Sequence, residues 1–518
     1  MIRMKVILRF LLPALALALT PVAQTWAQTT APRPKEIVLA APRDLAPGPK
    51  DPYYTNPILY VWEPLVINGE NGEPAPQLAT SWSLSEDAKA WTLKLREGVK
   101  FHDGEPFNAD AVIANFDRYR KISPKASPFT TFSIDQTFPG LTKVEKVDTH
   151  TIRLVFGQPQ PMLIYAMVGF GSPIYSPKNF EPNGDFKGFP QGTGPFKLVE
   201  HRPDVSLLLQ RNDDYHGAKA GAEFVRVRTI PAPDTRLSAM KAGEILGVMD
   251  LGAIPPEQAN ELAKDNRFAL SWEKSTISHY LHPNGKSGIF RDVRLRQAIS
   301  MAIDRDSIVK GLYRGYPSPT VNILNFTSPF MKTIAIPHDP KRAAALASEA
   351  LAGKRAKILM IVPSYGIDRY PYKAQAELIQ ATLIPLGLDA EIRILDAAAY
   401  RKAQTEGEYD LALATQGLPN SDPFTLLNNY LATKGSSNAL YSFGYSNPRV
   451  DQLLQEASVA VDIKQRRKVY EELQDLAVQD MPTIPLFNDT SLIAYSKQIA
   501  GYRATVYGTT LPEVRWAQ

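Results

Sequence analysis

The alternation of apolar and polar side chains changes period several times along this chain, and each change marks an element. Within residues 82–116 (WSLSEDAKAWTLKLREGVKFHDGEPFNADAVIANF), Trp91, Leu93 and Leu95 alternate with Thr92, Lys94 and Arg96, the period of two that a half-buried strand shows. Gly98 and His102-Asp103-Gly104 supply turns. After Pro106 the period lengthens, with Ala109, Val112, Ile113 and Phe116 at i, i+3, i+4 and i+7 and Asn108 placed to cap the first turn, so a helix is expected there. Upstream, 36–41 (EIVLAA) reads as a buried strand and 60–66 (YVWEPLV) as a second apolar element. The loop 42–57 between them is rich in Pro, Gly and polar residues and carries Tyr53, Tyr54 and Asn56; loops so placed often line sites.

Downstream, 143–156 predicts a hairpin turning near Asp148, and 162–168 (MLIYAMV) a buried helix or strand. Residues 181–195 are dense in Gly and Pro and make the best linker candidate. Strands are expected at 197–201, 205–212 and 224–230, and a helix over 235–242. Beyond about residue 277 the pattern differs. Asp292 and Asp304 are placed to cap two amphipathic helices. Then come an apolar strand over 357–362, a helix over 374–386, a strand over 389–395, a short helix over 397–405 and a strand over 409–415. Such βαβαβ alternation builds a parallel sheet through right-handed crossovers. Ligands bind such sheets beyond the carboxyl ends of the strands, here 364–372 and 416–422. Helices over 449–460 and 464–480, a strand over 484–488 and a tail with Tyr495, Tyr502 and Tyr507 complete the chain.

A chain of 518 residues exceeds one core and predicts two or three domains. Its 44% hydrophobic and 21% charged residues suit a soluble globular protein. Residues 1–27 read as an export signal: Arg3, Lys5 and Arg9 precede the apolar run 10–19, and Thr25-Trp26-Ala27 resembles a cleavage site. That run is about half of the roughly 20 residues needed to cross a bilayer. The chain has no cysteine, which excludes disulfides, thiolate metal sites, thiol nucleophiles and the lipidated cysteine of bacterial lipoproteins. An exported protein without that anchor is expected in a Gram-negative periplasm. Removing the signal takes away three of the 58 basic residues and none of the 53 acidic ones, leaving a mature charge of about +2. No basic block with interleaved aromatics points to nucleic acid.

The catalytic motifs are missing: no G-x-S-x-G elbow, P-loop, G-x-G-x-x-G after a strand, or H-E-x-x-H occurs. His279 and His282 are the nearest approach to a metal pair, but in a strand i and i+3 point to opposite faces, so no metal is expected. Glu86-Asp87 and Asp213-Asp214 occupy turns, where acidic residues are usual. The chain holds 22 Tyr against 6 Trp, and Tyr53, Tyr54, Tyr365, Tyr370, Tyr372, Tyr441 and Tyr445 fall in expected loops. A tyrosine offers a rigid apolar face and one hydroxyl, suited to polar organic ligands; packing between lobes explains the same residues. Arg369 and Lys373, beside the end of the first parallel strand, are placed to pair with a ligand carboxylate, with surface solvation as the alternative.

Several stretches together resemble one family: YVWEPLV, PQLATSWSLSEDAKAWTLKLREGVKFHDGEPFNADAV, GTGPFKLVE, RNDDYHG, FRDVRLRQAISMAIDRDSIV and MPTIPLFN. In this order they are similar to the family 5 solute-binding proteins of ABC importers, which include dipeptide, oligopeptide and nickel-chelate receptors. The resemblance spans about residues 36–516. It implies an α/β fold of the periplasmic binding protein type II-like kind, two lobes joined by a hinge with an extra inserted domain. It also implies domain I from 28–70, 190–275 and 490–518, domain II from 71–189, and domain III from 276–489. A ligand trapped between domains I and III by hinge closure would pass to a permease and ATPase complex in the inner membrane. Contacts to both lobes favour the closed form only through their differential binding free energy. A monomer without cofactor is expected.

The ligand class is read from departures. Free-peptide receptors of the family commonly place an aspartate four residues before the proline of a D-P motif, to hold the peptide amine. Here the motif is Asp422-Pro423 and Pro419 stands in that place. The loop around 51–64 and the phrase GEPFNADAV look more like the nickel and metallophore receptors. Their cleft arginine, however, matches Gly169-Phe170-Gly171, and their tryptophan matches Gly417. The expectation is a small polar organic solute, peptide-like, opine-like or a metal chelate, held by tyrosines and amides more than by a buried acid or base. The candidate ligand contacts are Tyr53, Tyr54, Phe170, Tyr365, Arg369, Gln416, Asn420, Asp422, Tyr441 and Tyr507. A secreted hydrolase with a dispersed site and a ligand receptor for a sensor partner are the alternatives.

Overall fold

Two long antiparallel strands, Phe268–Pro283 and Ile484–Ser496, run through the middle of a mixed sheet of 11 strands. This computed structural model describes residues 36–46, 56–69, 72–125, 133–168, 173–286, 288–335, 337–364, 369–418 and 421–518. On one side of the long pair the order is Gly247–Val248, Glu36–Ala41, Phe224–Thr229, Ser206–Arg211 and Phe196–Arg202; on the other it is Leu411–Gly417, Ala356–Pro363 and Leu388–Leu395. Glu36–Ala41 is parallel to both of its neighbours, and so is Ala356–Pro363. The expected βαβαβ series is present, with helices Tyr372–Leu383 and Ala397–Glu406 as its crossovers.

The long pair changes partner cores midway. Pairing runs from Phe268↔Ser496 to Lys274↔Thr490, breaks, and resumes at Ser278↔Asn488. Across the break Ser275, Thr276 and Ile277 on one strand face the single Asp489 on the other, a bulge of more than one extra residue that interrupts the ladder and lets the sheet bend. The strand expected to end at residue 488 therefore continues to Ser496, and Tyr495 belongs to it rather than to a tail. Before the break the pair packs with Ile37, Leu39, Val225 and Leu492 in a first hydrophobic core; after it, Leu281, Ile484 and Phe487 join a second core with Leu295, Ile299 and Met360. These are the two lobes.

The inserted part of the first lobe carries a four-stranded antiparallel sheet, ordered Ala79–Leu84, Ala90–Leu95, Thr151–Phe156, Leu141–Asp148. Trp91 and Leu93 pair with Leu154 and Ile152, so one face of the sheet is apolar and must be covered. Helix Ala109–Ile122 covers it with Ala109, Val112, Phe116 and Tyr119. Its start is fixed by Asn108, whose Oδ1 accepts from Ala111 N at 3.0 Å, satisfying an otherwise unpaired helix donor. Burial of a side chain the size of Phe116 stabilises by about 1.5–3 kcal/mol. Among the described residues no helix is long and apolar enough to cross a membrane.

Candidate functional site

The bulge places Asp489 where the strands pass from one lobe to the other, and charged residues from both lobes converge on it. From the first lobe comes the loop after Gly247–Val248. Asp250 there is buried with φ +80°, a left-handed conformation that costs about 1–2 kcal/mol for a residue with a Cβ. Arg43, at the end of Glu36–Ala41, holds its carboxylate in a fork: Nε donates to Oδ2 at 2.6 Å and Nη2 to Oδ1 at 3.1 Å. Two residues on, Gly252 has φ +67°, and a Cβ there would lie 2.3 Å from Arg369 Nε. From the second lobe, beyond the carboxyl end of Ala356–Pro363, come Arg369 and Tyr370.

Tyr370 Oη donates to Asp489 Oδ2 at 2.8 Å, and burial followed by the charge of Asp489 pushes the phenol above its ordinary range. Asp489 Oδ1 accepts from Thr490 N at 2.8 Å. His279 Nε2 stands 3.8 Å from Asp489 Oδ2 while its ring stacks on Phe487; neither imidazole nitrogen has a hydrogen-bond partner among the described residues. Arg369 is partly exposed as a residue, yet its Nε and Nη2 are sealed from solvent and have no partner among the described residues. Burial works against its charge, but Tyr370, Asp250 and Asp489 outweigh it and raise its proton affinity. Nε and Nη2 form the side of a guanidinium that takes a carboxylate in two parallel hydrogen bonds.

Arg369, Tyr370 and Asp489 line a cavity of about 20 Å³ with Gly252, Ile254, Tyr313, Tyr316 and Thr490, room for about one water molecule. The lobes are closed over it: Arg314 Nη2 reaches Glu257 Oε2 at 2.7 Å, Tyr316 Oη donates to Asn260 Oδ1 at 3.1 Å, and Ser421 Oγ donates to Asn68 Oδ1 at 3.0 Å. A larger groove of about 610 Å³ lies along the sheet face of the second lobe that carries Leu359 and Ile361, lined also by Arg393, Lys402 and Asp410. It involves one lobe only and is open, so it lacks the two-sided grip of the smaller cavity.

The candidate residues do not fall together. Tyr53, Tyr54, Phe170, Tyr365 and Asn420 lie outside the described residues. Arg369 reaches the cavity. Gln416 accepts from Tyr430 Oη at 3.2 Å, and the Tyr430 ring neighbours Tyr441, which stacks on His282. Asp422 is buried beside Tyr470, whose Oη donates to it at 2.9 Å, and burial raises its carboxyl. Tyr507 is buried, next to Gly508, whose carbonyl accepts from Ser491 Oγ at 3.4 Å. Asp250, Arg43 and Asp489 escaped sequence reasoning; the polar run Asn488-Asp489-Thr490-Ser491 inside an apolar stretch was the one available signal. His279 and His282 face different aromatic neighbours, Phe487 and Tyr441. No group of three or more potential metal ligands occurs among the described residues.

Two α/β lobes joined by crossing strands, closed on a small polar cavity, define a solute-binding protein that works by hinge closure. The chain belongs to the bacterial extracellular solute-binding proteins, family 5, whose middle region matches residues 73–438. It is similar to the "Probable D,D-dipeptide-binding periplasmic protein DdpA" of Escherichia coli (26% identical over 437 residues, 82% of this chain and 81% of that protein). It is also similar to the di/tripeptide-binding protein 2 of Pseudomonas aeruginosa (27% over 454 residues, 83% and 84%). Among solved structures, NikA from Brucella suis in complex with Fe(III)-EDTA superposes with a TM-score of 0.80 at 24% identity, covering 94% of this chain and 100% of that one. The chain is thus the substrate-binding component of an ABC importer, a class that hands its solute to a permease and ATPase. The family consists of binding proteins rather than enzymes.

Proposed function

We propose that this receptor captures a small, carboxylate-bearing polar organic solute, peptide-like, opine-like or a metal chelate, and that Arg369 is its anion anchor. The observation that carries the reading is the sealed, unpartnered Nε/Nη2 side of Arg369 at a cavity touched by both lobes. A buried guanidinium without a partner is costly, and a ligand carboxylate removes the cost on closure. The compounds named for the relatives fit this chemistry, since dipeptides, tripeptides and EDTA all carry carboxylates. Asp489 at the same cavity adds a place for a ligand cation, so charged groups share the work first assigned to tyrosines and amides.

We further propose that the chain acts as a non-enzymatic monomer in a Gram-negative periplasm, exported by a cleaved signal. Its domain limits are 28–70, 190–275 and 490–518; 71–189; and 276–489. The bulge at 275–277 and 489 supports the junction between the first and third of these.

Isothermal titration of the mature protein with D-alanyl-D-alanine, glutathione and Fe(III)-EDTA tests the anchor. At least one should bind, and Arg369→Ala should weaken it by about 2–5 kcal/mol, the cost of truncating one partner of a buried charge pair. Tight binding of a solute without any acidic group, indifferent to Arg369→Ala, would overturn the reading.

A further inference from the structure

One short helix, Leu163–Ala166, packs with its N-cap Met162 against the first core and against a third hydrophobic cluster made of second-lobe residues. The segment is moored to the inserted sheet: Gln160 N donates to Ala88 O at 2.8 Å and Gln160 O accepts from Trp91 Nε1 at 2.7 Å. Leu163, Ile164, Met167 and Val168 pack into the core of the first lobe. Met162 points the other way. It is 6% exposed and packs in a cluster that otherwise consists of second-lobe residues, Phe330 among them.

Tyr165 lies on that same side, three residues on. Its ring centroid is 5.8 Å from that of Phe330, and its carbonyl accepts from Ser421 N at 3.3 Å. Its hydroxyl donates to Glu73 Oε2 at 2.6 Å, within the first lobe. Ser421 also donates to Asn68 and opens the Asp422-Pro423 turn beyond the strand Leu411–Gly417. Neither Met162 nor Tyr165 lines the cavity at Arg369.

We propose that Met162 and Tyr165 are positioning residues that latch the lobes shut without touching the ligand. When the lobes part about the crossing strands, the mooring at Ala88 and Trp91 keeps this segment with the first lobe. Met162 must then leave that second-lobe cluster and enter water. That differential burial favours the closed form whether or not a ligand is present. A receptor's apparent affinity scales with the fraction of free protein already in the binding-competent state. A fully buried side chain of this size shifts such an equilibrium by about ten- to a hundredfold, so the latch presets affinity from outside the site.

The absence of native cysteine makes the test direct. Lys219→Cys in the first lobe and Lys310→Cys in the second, both well exposed, carry spin labels, and pulsed dipolar spectroscopy reads their separation in ligand-free protein. The closed separation should dominate in the latched protein, and Met162→Ala and Tyr165→Ala should each move the distribution toward an open one. Where glutathione, D-alanyl-D-alanine or Fe(III)-EDTA binds, the same variants should weaken it by about tenfold or more, chiefly through faster release. Circular dichroism separates this from misfolding. If either core variant fails to fold, Asn68→Ala, which removes the bond to Ser421, decides in the same way. Unchanged ligand-free distances in the folded variants would overturn the latch. The anchor is judged separately, by the affinity of Arg369→Ala.

Discussion

Gly252→Ala separates closure from folding in one substitution. The added Cβ would sit 2.3 Å from Arg369 Nε and 3.0 Å from its Cζ and Nη2, and the backbone at φ +67° is left-handed. The backbone cost, about 1–2 kcal/mol, is present whether the lobes are open or closed, so it lowers stability and leaves affinity alone. The overlap exists only when the second lobe brings Arg369 against the first. Overpacking of this kind costs about 1–3 kcal/mol, which becomes a loss of about fivefold to a hundredfold in affinity. Gly243→Ala is the internal control: Gly243 has φ +77°, and a Cβ there meets nothing within 4 Å. Both variants should lose melting temperature in thermal denaturation, and Gly252→Ala at least as much as Gly243→Ala, because the ligand-free protein is closed as well. In titrations with whichever of glutathione, D-alanyl-D-alanine and Fe(III)-EDTA binds the unaltered protein, Gly252→Ala alone should bind more weakly. Equal affinities for the two variants would refute the placement of Arg369 against this loop in the liganded form.

Other expectations follow from the same structure. Asn108→Ala should cost about 1 kcal/mol by removing the cap of Ala109–Ile122, read in a denaturant titration of the inserted sheet's signal. Glu63 accepts from Thr193 Oγ1 at 2.6 Å, Tyr215 Oη at 2.8 Å and His216 Nε2 at 3.0 Å, and also from Gln77. Glu63→Ala strands these donors and should cost several kcal/mol, whereas Glu63→Gln, which keeps an acceptor, should cost less; equal melting temperatures for the two would refute the network. Burial pushes His102 down to about 4 and His282 down to about 3. The unfolded chain takes up protons near pH 6.5, before the folded one does, so stability is full above that pH and falls as pH drops toward 4 and then 3. His102→Gln should flatten the upper part of that decline in melting temperature against pH.

Much of the scaffold could be read from the chain because its signals are local. Trp91, Leu93 and Leu95 share one buried face along a single strand, and Ala109, Val112 and Phe116 one face of a single helix. Ala356–Pro363 stands out because its last four residues, Met360 to Pro363, are buried on both faces of the strand. The crossing strands could not be read that way. Phe268–Pro283 runs from an exposed stretch at 272–274 into a buried one, while Ile484–Ser496 is buried on both faces through most of its length, so neither shows the alternation of a half-buried strand. The site divides along the same line. Arg369's place at the cavity was legible because it follows the end of a parallel strand. Asp250 was not, since its partner Arg43 stands 207 residues away in the chain and only the sheet brings the two together.

Among the described residues, Asp489 is the one position in the bulge between the lobes that also lines the cavity. On the proposed reading, a change there alters both which solutes are accepted and how freely the strands flex, so selectivity and turnover are bound into one inherited trait. A lineage that exchanges its cargo by substituting Asp489 also resets how fast each molecule is let go. A shift in diet achieved through Gly252 or Arg369 leaves the pivot itself untouched.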